Sequence, residues 1–110
     1  MIVNIIGQTA VISQERTTLE SFLKGVADSF KEYKAQHVVL QLLTDRAIDT
    51  ASLEFIVSLS QQHKARKLSF VLVTDMLGYE EAPEELSVVP TLQEAKDVIE
   101  MEDIERDLGF

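Results

Sequence analysis

Apolar residues along this chain recur with two periods in turn, and the switches between them mark out the elements. Residues 2–6 (Ile-Val-Asn-Ile-Ile) and 9–13 (Thr-Ala-Val-Ile-Ser) are short runs rich in β-branched side chains, separated only by Gly7 and Gln8. That spacing, with a glycine free to take positive φ, predicts a β-hairpin. A Thr-x-x-Glu capping box at Thr17 and Glu20 precedes Leu19, Phe22, Leu23, Val26, Ala27, Phe30 and Tyr33 at helical spacing. The helix so predicted ends near Ala35. Residues 37–43 (His-Val-Val-Leu-Gln-Leu-Leu) are almost continuously apolar, as a strand covered on both faces is.

The pattern then repeats. Asp49 or Thr50 can cap a helix carrying Leu53, Phe55, Ile56, Val57 and Leu59, a wide apolar arc that closes with His63, Lys64, Arg66 and Lys67. Residues 68–73 form a second apolar strand, 76–85 a polar connection with Gly78 and Pro83, and 86–89 a short third strand stopped by Pro90. Thr91 and Glu94 make another capping box, opening a helix that runs toward the C-terminus. The order β-β-α-β-α-β-loop-β-α predicts an α/β fold: a mainly parallel sheet opened by a hairpin, with helices packed on it. With no repeat or linker, residues 1–110 read as one domain.

The last helix carries a conflict of phase. Leu92, Ala95, Val98 and Ile99 share one stripe, whereas Met101, Ile104 and Leu108 fall on nearly the opposite side of a straight helix. Either the chain bends near residues 100–102, or the second stripe is offered to another molecule. In the latter case Asp103, Glu105 and Asp107 flank it and Phe110 closes it, a docking tail over 101–110 suited to a basic, apolar groove or a symmetry mate.

Charge sharpens this. The net charge is -9, and residues 75–110 hold twelve acids against Lys96 and Arg106, whereas residues 1–74 hold seven acids and eight bases. Such a chain repels nucleic acid and anionic membrane surfaces, so neither is an expected partner. There is no cysteine, hence no disulfide, thiol nucleophile or thiolate metal site, a usage that suits the cytoplasm. No signal peptide or membrane-spanning run is read at the N-terminus or elsewhere. Two separated histidines, His37 and His63, and four scattered glycines supply no metal cluster, catalytic constellation or phosphate loop, so the chain reads as no enzyme and as needing no cofactor. Each histidine is expected to be solvated or locally hydrogen-bonded at an element end.

The strand, the loop and the helix start Ile48-Asp49-Thr50-Ala51-Ser52-Leu53, together with Leu68-Ser69-Phe70-Val71-Leu72-Val73 and Val88-Val89-Pro90-Thr91-Leu92-Gln93-Glu94-Ala95, resemble the STAS domain, and the likeness runs through nearly the whole chain. That family includes bacterial anti-sigma-factor antagonists, in which the second helix opens with Asp-Ser-Ser-Gly-Leu and one serine is phosphorylated by a partner kinase. The resemblance implies a STAS-like sheet and a regulatory module that binds a protein, an anti-sigma factor or kinase, or a second copy of itself. The alternative it implies is a small-ligand domain holding a nucleotide or lipid. The modified serine corresponds here to Ala51, which has no hydroxyl, leaving Thr50 and Ser52 as displaced phosphoacceptors.

In a wound α/β sheet ligands meet the carboxyl ends of the strands, which places Thr44, Asp45, Asp49, Thr50, Ala51, Ser52, Leu53, Thr74 and Asp75 along one edge as the expected partner-binding or switch surface. Asp49 and its hydroxyl neighbours also suffice as helix caps.

Overall fold

The computed structural model describes residues 1–44, 46–78 and 80–109. One five-stranded sheet runs in the order β1 (Ile2–Ile6), β2 (Thr9–Ser13), β3 (His37–Gln41), β4 (Phe70–Val73) and β5 (Ser87–Val89). β1 and β2 are antiparallel and every later pair is parallel. The hairpin turns on Gly7, whose φ of 59° suits the first central position of a type II′ turn.

Three helices cover this sheet: α1 (Leu19–Ser29, continued by a 3-10 turn at Phe30–Tyr33), α2 (Thr50–Lys64) and α3 (Leu92–Asp107). Alternation along the strands divides their side chains between two cores. Ile12, Val38, Leu40, Phe70 and Leu72 meet Phe22, Leu23 and Val26 of α1 and Ile56 and Leu59 of α2 on one face. Val11, Val39, Val71 and Val73 meet Ala95 and Ile99 of α3 on the other. The two-sided cover explains why β3 and β4 are apolar at nearly every position. No helix among the described residues is long and apolar enough to cross a membrane.

The boundaries differ from expectation in instructive ways. Thr18, not Thr17, caps α1, its hydroxyl accepting the Ser21 N–H at 3.1 Å. Of the two candidates for the cap of α2, Asp49 is the one used. β3 ends at Gln41, so Leu42 is buried beyond the strand and Leu43 stands 63% exposed. Thr91 caps α3 as expected, accepting the Glu94 N–H at 3.2 Å while its own hydroxyl donates to the Glu94 carboxylate at 3.1 Å.

α3 does not bend; it runs unbroken through residues 100–102 to a close at Gly109, whose φ is 82°. Its outer stripe is open to solvent, with Met101 61%, Ile104 54% and Leu108 65% exposed. The inward stripe continues past Ile99 as Glu102, Asp103 and Arg106, because the helix there has run past its apolar contacts and meets polar groups at the starts of β3 and β4. Asp103 therefore faces inward and does not flank the exposed stripe.

Candidate functional site

The start of α2 is built by its cap. The Asp49 carboxylate accepts the Ser52 N–H at 2.7 Å with one oxygen and the Ser52 hydroxyl at 2.9 Å with the other. These two bonds, the backbone one first, hold the Asp49 carboxyl below its usual range. Both Ser52 donors are thus spent on Asp49. Thr50 and Ala51 are exposed beside them, whereas Leu53 is half-buried, packed against the core that holds Phe22 and Ile56.

The rest of the expected edge is only partly a surface. Asp75 is exposed and Thr44 half-buried. Thr74 is buried, its amide donating to the Val89 carbonyl at 2.9 Å and its hydroxyl accepting the Met76 N–H at 3.1 Å. It shapes the turn after β4 and is withdrawn from any partner, contrary to expectation. Asp45 and Phe110 lie outside the described residues. Gln14, which the sequence pattern left unmarked, ties this edge together: buried after β2, it donates to the Thr17 carbonyl at 3.0 Å and accepts the Leu43 N–H at 3.0 Å. Its burial, which makes both bonds necessary, is not legible in the sequence, where it is simply a glutamine after Ser13.

Beside the start of α2 lies a groove between α1 and α2, about 630 Å³, with Leu23, Ala27, Ala51 and Phe55 as its apolar lining and Glu20, Lys24, Asp49 and Ser52 at its rim. Phe55 is 39% exposed here, an aromatic ring left partly in water one turn beyond Ala51. The wide apolar arc of α2 accounts for it: Ile56 and Leu59 fill the core, and Phe55 falls outside.

At the opposite end of the strands a polar latch joins α3 to the sheet. The buried His37 accepts the Ser69 N–H on Nδ1 at 3.0 Å, so Nε2 carries the proton and donates to the Asp103 carboxylate at 3.1 Å. Arg106 donates to Asp103 at 3.0 Å and to the Ser69 hydroxyl at 2.8 Å, and that hydroxyl donates in turn to Glu102 at 2.5 Å. Of the two expected states, solvated or hydrogen-bonded at an element end, His37 takes the second, because the overhanging helix seals the ring. His63 is also sealed: its ring lies 5.2 Å from Phe30 and 6.3 Å from Phe70, with Nε2 bonded to the Gln36 carbonyl. Its Nδ1 and the Ser60 hydroxyl are buried without partners among the described residues. The two histidines thus serve separate contacts, and no cluster of metal-ligating groups forms among the described residues.

Replacing His37 with Leu should strand the Ser69 N–H and free Asp103, loosening the end of α3 before the rest. Amides of residues 102–107 should exchange about tenfold faster by hydrogen exchange, with residues 92–99 little changed.

No protein-family model matches the chain, and none of the curated proteins compared with it does. In three dimensions it is similar to the protein TM1081, whose structure was determined by NMR, at 21% identity over 89% of this chain and 86% of that one, with a TM-score of 0.63. A likeness at that identity speaks to the fold, an α/β sheet with helices on both faces, and to nothing further.

Proposed function

We infer that the chain is a non-catalytic binding module of STAS type, resembling the anti-sigma-factor antagonists, which presents the start of α2 and the adjoining α1–α2 groove to another protein. The observation that carries this reading is the partly exposed ring of Phe55 in that groove, one turn beyond Ala51. An aromatic side chain in a concave, partly apolar site with a charged rim has the make-up of an interface anchor. Ala51, at the position of the family's phosphoacceptor, leaves the groove free of that switch.

Of the two displaced acceptors, the geometry favours Thr50. It is exposed in the first turn of α2, where the helix dipole stabilises an added phosphate. A phosphate on Ser52 would remove the hydroxyl donor to Asp49 and set a second negative charge against that carboxylate. The outer stripe of α3, apolar at Met101, Ile104 and Leu108 within an acidic surface, fits a second contact to a basic, apolar partner.

The test is capture of partners from lysate of the source cells by the intact chain and by Phe55→Ala and Ile104→Gln variants, each checked for native fold. A partner held through the groove should bind Phe55→Ala about thirtyfold or more weakly, the loss expected of an interface hot spot. Capture unchanged in both variants would remove the reading. Mass spectrometry of the wild-type chain should place any phosphate on Thr50, with none left in Thr50→Ala.

A further inference from the structure

The two edges of the sheet are finished differently. β5 is three residues long, stopped by Pro90 and approached through the acidic pair Glu84 and Glu85, all features that discourage strand addition. β1 has none of them. It is five residues long, pairs with β2 without a bulge, and contains no charge, proline or glycine.

Its backbone groups point outward in a definite pattern. The Gln8 carbonyl and the Gln14 amide both bond β3, accepting from His37 at 2.8 Å and donating to Gln41 at 2.9 Å. By alternation, Thr9, Val11 and Ser13 turn their polar groups to β1, where their partners are Ile6, Asn4 and Ile2. The N–H and C=O groups of Val3 and Ile5 are therefore left on the open edge. Apolar side chains crowd the same strand on both faces: Ile2 is 44%, Ile5 52% and Ile6 48% exposed.

We propose that β1 pairs antiparallel with β1 of a second copy of this chain, about a two-fold axis through Asn4, joining two sheets into one. The occupant follows from self-complementarity and charge. In this register Val3 lies opposite Ile5 of the other copy and Ile2 opposite its Ile6, so every pair is aliphatic except the Asn4 pair on the axis. The outward groups of Val3 meet those of Ile5 in reciprocal hydrogen-bonded pairs, twice over by symmetry. Like-charged chains resist association, yet the repulsion is smallest here. Residues 1–36, which hold β1, β2 and α1, carry four acids and four bases, and the excess acid lies on residues 75–110, which hold β5 at the opposite edge and α3, packed mainly over β3, β4 and β5. Exposed isoleucines on both faces then meet across the axis instead of water. This goes beyond the proposed partner groove, which lies between α1 and α2 and stays open in the pair.

Sedimentation of the intact chain from about 10 µM to about 1 mM should show a reversible monomer–dimer equilibrium, and Ile5→Lys should weaken it about tenfold or more, lysine being a common guard of free edges. Hydrogen exchange on the wild-type chain supplies a readout independent of any variant's folding. The Val3 and Ile5 amides should gain protection as concentration rises, while the Asn4 and Ile6 amides, already bonded to β2, stay protected throughout. A chain that remains monomeric at about 1 mM, its edge left for another protein's strand, overturns the proposal. So does a dimer indifferent to Ile5→Lys, or one in which Val3 and Ile5 exchange freely.

Discussion

Phe70→Ala should cost about 3–5 kcal/mol of folding stability, more than any surface change considered above. Phe70 is fully buried in the middle of the sheet, at the start of β4, and packs among Val38, Leu72 and the helices α1 and α2. Its ring also stands edge-on to Phe30 at 6.3 Å and to His63 at 6.3 Å, so one truncation opens a cavity against the end of α1 and the end of α2 together. β4 itself is hydrogen-bonded to β3 on one side and β5 on the other, so its backbone cannot close inward on the space. Urea unfolding with an unchanged m value checks this; a loss under about 1 kcal/mol would mean that the aromatic cluster is not close-packed.

Stability should also fall as pH drops below neutrality, through His63. Burial against Phe30 and Phe70 is the main force lowering its pKa, the Gln36 carbonyl works against that, and the nearby charges of Arg66 and His37 add to the lowering. The unfolded chain therefore takes up a proton at a pH where the folded chain does not. The contribution is present in full above the unfolded pKa of about 6.5 and is lost as pH falls from there toward the lowered folded value. Within that window stability falls with pH, by at most about 1.4 kcal/mol per pH unit for a single proton. The difference between wild type and His63→Leu, taken from unfolding curves between about pH 7.5 and 5.5, isolates this residue from the carboxylates, which titrate lower. A difference that does not change with pH would show that His63 is accessible to protons in the folded state.

How far the sequence reaches is clearest on α3. Its period showed two apolar stripes that one sheet cannot bury, and both stripes are there. What a period cannot show is where a helix outruns the sheet beneath it. Asp103 reads as one more acid on a solvated face until His37, distant in sequence, is placed beneath it. Thr74 misled for a related reason: it follows the end of β4, where a side chain faces solvent or the interior according to the course of the next turn, which local residue types do not determine. The strands were plainer: residues 37–41 and 70–73 need apolar cover on both faces, so composition alone marks them as central. The α1–α2 groove was hidden because Phe55 counts toward an apolar arc in sequence, and only the packing of Ile56 and Leu59 shows that the arc is wider than the core it feeds.

The separation of charge along the sheet makes the molecule an electric dipole, with the acid-covered end at α3 and β5 and an electroneutral end at β1. In an encounter with a cationic body it turns α3 forward before touching, and added salt weakens that torque. Events at the β1 end take place nearly outside this field, so ionic strength separates the two ends of the molecule.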